Sequence, residues 1–189
     1  MVEQTVLRRH FSSGLSYDEY VASGSTDQQT SWKAARQRVG LSSTQQSLLG
    51  SFVRDLHVLV ISGTWCGDCV HQVPMIDAIA KASPRIKVAY LDRDKHIDLS
   101  NQVKICGGNR VPTVIFANED FDFLAIYGDK SLARLRATAM KSLGAACAVP
   151  GALLAQDEAA ATLQDWVDQF ERSHLIARLS TKLRDRHGD

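Results

Sequence analysis

Cys66 and Cys69 stand two residues apart in "SGTWCGDCVHQVP", Ser62 to Pro74, behind a tryptophan and ahead of a helix-like run. Three chemistries use that spacing: metal ligation, a structural crosslink, and reversible dithiol–disulfide exchange. A tetrahedral zinc site needs four ligands, commonly from a second C-x-x-C or Cys/His pair. Here Cys106 and Cys147 stand singly, and His71 reads as a surface residue of the helix. Covalent haem attachment needs a histidine directly after the second cysteine, and Val70 occupies that place. The ligand count therefore implies no metal and no bound cofactor. In a reducing compartment a permanent crosslink is disfavoured, which leaves a pair that opens and closes.

That chemistry needs one activated sulfur, and the flanking elements supply it. "HVLVIS", His57 to Ser62, is short, apolar and β-branched, the mark of a strand buried on both faces. The run after Cys69 is helical, with apolar Val70, Val73, Ile76, Ile79 and Ala80. Cys66 then falls at the helix start and Cys69 one turn inside. Unpaired N–H groups at a helix start carry partial positive charge, which favours a thiolate at Cys66. Trp65 covers the pair, and Gly67 lets a substrate backbone come close.

Further strands are expected over "RIKVAYLD" (85–92), "VPTVIFA" (111–117) and "FDFLAIYG" (121–128), the last antiparallel to its predecessor because the connection is short. A short helix is expected before Gln102. Upstream, Ser16 caps a short helix, and Trp32, Ala35 and Val39 repeat at helical spacing up to Gly40. Lys33, Arg36 and Gln37 fall on the water-facing side. A second helix is expected from Ser43 to Asp55, burying Leu48, Leu49, Phe52, Val53 and Leu56. Downstream, residues 130–143 read as a helix closed by Gly144. A last helix carries Leu163, Trp166, Val167 and Phe170, with a break expected near Ser173 and Leu175, Leu179 and Leu183 beyond. The element order predicts an α/β fold with a mixed central sheet flanked by helices.

The motif "WCGDC" (Trp65 to Cys69), Pro74 five residues on, and "RVPTVIF" (Arg110 to Phe116) together resemble the thioredoxin family. The resemblance covers about 57–144. It implies a thioredoxin-like core there, with helical extensions at 1–56 and 145–189. It implies a cis Pro112 facing the cysteines, Val111 offering its backbone to substrate, and a helix kinked at Pro74. Two departures stand out. Val60 occupies the place of a buried aspartate that moves protons in many thioredoxins. Asp68 replaces the usual proline, as in related proteins with Cys-Pro-Asp-Cys.

Asp68 cuts both ways. It favours the helix start by ~0.3–1 kcal/mol. It also repels a thiolate, by roughly 1–2.5 kcal/mol at about 7 Å and an effective dielectric of roughly 20 to 40. That corresponds to about one to two pH units upward for Cys66, and it favours a reductase over an oxidase. Asp68 also has two other readings, a proton shuttle in place of Val60 and a plain helix-start residue.

The rest of the composition narrows the function classes. The chain has 189 residues, 44% hydrophobic and 23% charged, with formal net charge +1, which gives no support to nucleic-acid binding. Its longest apolar stretch, around 145–155, falls short of the ~20 residues of a spanning helix. The N-terminus lacks an apolar block after its arginines, so a cytoplasmic location is expected. "LDRDKH", Leu91 to His96, reads as a solvated loop, and Cys106 as a partly buried free thiol. The expected function is a protein-disulfide reductase cycling Cys66 and Cys69. Its partners would be protein disulfides and an electron-donating reductase or small thiol. The competing class is a thioredoxin-fold adaptor working through its extensions.

Overall fold

A computed structural model describes residues 2–143 and 155–188. The chain opens with four helices: α1 (Gln4–Ser12), α2 (Tyr17–Ala22), α3 (Thr26–Gln37) and α4 (Ser43–Gly50). The last three each begin at a reciprocal cap. Ser16, Ser25 and Ser42 accept from the backbone N–H three residues on, and Glu19, Gln28 and Gln45 reach back to the cap N–H. Each box satisfies two donors that a helix start leaves unpaired.

α1 has no counterpart in the sequence pattern. Only Leu7 and His10 are buried along it, and its arginines interrupt the stripe. α4 is shorter than expected. It ends at Gly50, so Phe52 and Leu56 are buried from a coil and a strand, while Val53 is 51% exposed. Arg36 also departs from its water-facing assignment, since it pairs with the buried Asp77 at 2.9 Å.

The sheet has the order β2-β1-β3-β4. β1 (Leu56–Ser62) runs parallel to β2 (Ile86–Asp92) and antiparallel to β3 (Thr113–Ala117), which pairs antiparallel with β4 (Phe123–Gly128). Val60 therefore sits between Tyr90 and Val114. Every β1 residue except His57 is buried, as a central strand requires. β3 starts two residues later than the pattern implied, because Val111 and Pro112 form a loop joined by a cis peptide bond. β4 also starts late: Phe121 adopts a left-handed φ of 68° in the preceding turn. Outside the named strands, Leu15 and Tyr90 exchange backbone hydrogen bonds of 3.0 and 2.9 Å, adding a rung to the outer side of β2.

α5 (Gly67–Lys81) follows β1 directly and carries Pro74 within it; α6 (Ile97–Ser100) is a single turn after β2. α7 (Leu132–Leu143) and α8 (Glu158–Arg178) come after the sheet, then α9 (Thr181–His187). α8 is unbroken through Ser173; its end comes at Leu179, where Ser180 caps α9. Leu163, Trp166, Val167, Phe170 and Leu183 are buried as expected, but Leu175 and Leu179 are exposed. The aromatics pack edge-on: Phe116 with Phe170 and Tyr127 with Trp166, both at 5.1 Å.

Candidate active site

Cys66 is the N-cap of α5, in extended conformation, and its side chain makes no cap hydrogen bond. Its Sγ is half-buried and lies 3.7 Å from the Val111 carbonyl, to which the thiol donates. Cys69 is fully buried one turn below. Both are free thiols, and the structure brings the predicted pair to the cis Val111–Pro112 bond.

The two sulfurs are set apart by their surroundings. The Cys69 thiol donates to Cys66 and is the main reason the Cys66 pKa falls. Burial opposes this, the backbone N–H groups of Cys69 and Asp68 assist, and the Asp68 charge opposes least. The result is a Cys66 pKa lowered to about 6. Cys69 moves the other way. Burial pushes its thiol well up, the Cys66 sulfur adds to this, and Ser62 and the Gly63 N–H offset only part. The expected rise at Cys66 from Asp68 is thus outweighed.

Asp68 is itself paired with two cations. Its carboxylate accepts from Arg134 Nε of α7 and from Lys130 Nζ at 3.1 Å. Burial raises the Asp68 pKa, but these two cations outweigh it and hold the group below its usual value. Arg134 also binds Glu158 of α8 at 2.8 Å through Nη1. A pairing with Asp68 arising 66 residues away leaves no local signal in the sequence. His71, expected at the surface, is half-buried next to this cluster and its Nε2 has no hydrogen-bond partner. Burial first, and then Arg134, lowers its pKa.

Other supports come from distant elements. Trp32 is fully buried and donates from Nε1 to the Thr64 carbonyl at 2.9 Å, which fixes the turn before Trp65. Its spacing marked it as core, with no hint of this bond. Gln72 of α5 is held on two sides: it donates to the Asp129 carbonyl at 3.0 Å and accepts from Trp166 Nε1 at 3.2 Å. Trp65 is 52% exposed, with the Arg93 guanidinium 4.7 Å over its ring. Arg93 belongs to the segment read as a solvated loop, so that reading is corrected at this residue. Close approach explains one glycine here. A Cβ on Gly128 would lie 2.3 Å from the Pro112 carbonyl oxygen, so a side chain at β4's end would collide with the cis-proline loop.

Gly67 is exposed with open space around it. Beside it lies a groove of about 420 Å³ lined by Asp27, Gln28 and Ser31 of α3 and by Thr64, Trp65, Gly67 and Val70. A larger groove, about 510 Å³, lies between α2 and α3 and contains no thiol. Cys106 is exposed, contrary to the partly buried expectation, in a turn with φ of 49°. Cys147 and Gly144 lie outside the described residues. Among the described residues, no group of three or more His, Cys, Asp or Glu side chains is placed to hold a metal ion. Nor is any helix among them long and apolar enough to cross a membrane.

A family model described as thioredoxin matches residues 14–139. No curated protein matches the sequence. Among solved structures, the chain is similar to a Pseudomonas aeruginosa protein of unknown function, 20% identical, with a TM-score of 0.70 over 94% of this chain and 99% of that one. It is also similar to an HIV epitope-scaffold, 21% identical, with a TM-score of 0.62 over 89% of this chain and 93% of the other. Mitochondrial thioredoxin 3 from Saccharomyces cerevisiae aligns over 50% of this chain and 86% of its own, at 18% identity and a TM-score of 0.34.

Proposed function

The chain belongs to the thioredoxin family and has a thioredoxin-like α/β fold, and on that premise we propose that it is a thiol–disulfide oxidoreductase using Cys66 and Cys69. One observation carries this reading: two adjacent free thiols with opposed acidities, the acidic one half-buried at a helix tip and facing Val111. With a pKa of about 6, Cys66 is mostly thiolate at neutral pH.

The Cys66 thiolate attacks one sulfur of a substrate disulfide. The substrate S–S bond breaks, a Cys66–substrate disulfide forms, and the departing substrate thiolate takes a proton. Cys69 then gives up its proton and attacks Cys66 Sγ. The mixed disulfide breaks, the Cys66–Cys69 disulfide forms, and the second substrate sulfur leaves as a thiol. Two electrons have passed from the cysteine pair to the substrate, together with one proton from Cys69 and one from solvent. A reductase partner or a small thiol returns them.

The substrate class is protein disulfides, held by the Val111 backbone beside Pro112 and by the rim at Trp65 and Gly67. Trp65 and Gly67 support this by their exposure. The working direction is reduction, in a reducing compartment such as the cytoplasm. The reduction potential tests that direction. The test has two arms. Reduction of insulin by dithiothreitol is accelerated by the wild type and not by Cys66→Ser; equal rates would favour an adaptor. Equilibration with glutathione gives a potential below about −230 mV for a reductase, whereas a value near −120 mV would make the protein an oxidant.

A further inference from the structure

Asp68 adjoins the reactive sulfur yet opposes its ionisation least among the acting influences. An uncompensated carboxylate at this place would raise the Cys66 pKa by about one to two pH units. Two cations from outside the α5 helix hold that carboxylate. Lys130, in the connection from β4 to α7, approaches Asp68 Oδ2 at 3.1 Å, and Arg134 occupies Oδ1. Each carboxylate oxygen is thus taken by a different cation.

Arg134 is itself held in place. Its side chain is 31% exposed, and its guanidinium spans Asp68 on α5 and Glu158 at the start of α8. A planar guanidinium can meet two carboxylates at fixed angles, which a lysine ammonium cannot do in the same way. Glu158 therefore orients the group that orients Asp68. The other charged or titratable neighbours are Asp129, 3.4 Å from Lys130, and His71, which senses Arg134, Glu158 and Asp68. Arg93, stacked over Trp65, also senses the sulfur's charge. Neither Arg134 nor Lys130 figures among the main influences on Cys66, whereas Asp68 does.

We propose that Arg134, anchored by Glu158 and assisted by Lys130, is a positioning residue that holds Asp68, so that the carboxylate does not turn its charge on the Cys66 thiolate. This rests on the reading of Cys66 as the reacting sulfur. It makes α7 and α8, outside the cysteine motif, part of what sets that sulfur's reactivity.

The experiment is the pH dependence of Cys66 alkylation by iodoacetamide in the full chain, with Cys69, Cys106 and Cys147 replaced by serine in all variants. This background replaces the Cys69 thiol donor with a hydroxyl, so its midpoint is first measured as the reference. Arg134→Gln should move that midpoint up by about half to one pH unit. At the reference midpoint the rate should then fall roughly two- to fivefold. Lys130→Gln should move it in the same direction by less, and Arg134→Lys should restore part of the loss. In an Asp68→Asn background, Arg134→Gln should leave the midpoint within about 0.2 pH unit, because no carboxylate remains to be held. An unmoved midpoint in Arg134→Gln overturns the proposal, as does an equal move with and without Asp68. If Arg134→Gln does not fold, Lys130→Gln with and without Asp68 reads the same coupling. Alkylation is scored without turnover. Failure of insulin reduction alone would count against the oxidoreductase reading and leave this coupling standing.

Discussion

The two ends of the chain both reach the cysteine pair, but by different physical means. From the N-terminal side α3 contributes an indole: Trp32 fills a fully buried space and pins the Thr64 carbonyl. From the C-terminal side α7 and α8 contribute polar groups: Arg134 and Lys130 meet Asp68, and Trp166 meets Gln72. One side fixes the shape of the turn that carries Cys66. The other side adjusts the electrostatics of the first helical turn. Substitutions on the two sides should therefore move different observables, stability in one case and acidity in the other.

The largest effect is expected at Trp32. Trp32→Ala leaves a cavity and an unpaired carbonyl, and should cost about 3–5 kcal/mol in denaturant unfolding. The alkylation midpoint of the fraction that stays folded should move by less than about 0.3 pH unit, far from the change expected at Arg134. A large move at Trp32 would erase the distinction between the two sides.

Next comes the contrast between the sulfurs themselves. Alkylation of Cys66 in the reduced wild type should rise with pH and level off above its midpoint of about 6. Below that point the rate should drop about tenfold per pH unit, as the thiolate is lost. Cys69, raised by burial and by the neighbouring sulfur, should stay unreactive through neutral pH. Peptide mapping that found both modified equally at pH 7 would break the contrast. The smallest effect is at Ser25, the cap of α3. Ser25→Ala should cost about 1 kcal/mol by thermal or urea unfolding and leave the Cys66 titration in place.

Much of the site was legible because it is local. A β-branched run, a C-x-x-C and an apolar helical run are contiguous, so Cys66 at the helix tip and Cys69 inside follow from spacing. The cis Pro112 followed from family resemblance and not from local chemistry, since a proline before a strand takes either isomer. The partners of Asp68, the bond from Trp32 to Thr64 and the cover of Arg93 over Trp65 are contacts between distant segments. No pattern in a single stretch announces them. The same limit explains the errors in burial. Val53 and Leu179 continue apolar periodicities past the ends of their helices, and Leu175 lies on an outward face within α8; among the described residues all three stay exposed. α1 escaped notice for the opposite reason, being a mostly polar helix docked by Leu7 and His10.

The rung between Leu15 and Tyr90 reaches beyond the cysteine chemistry. A sheet's outermost strand offers unsatisfied amides to any extended polypeptide that drifts past. By spending Leu15 on that border, the chain blunts the flank of β2 with its own backbone. The leading segment thus acts as a guard against unwanted self-association as well as a wall of the fold.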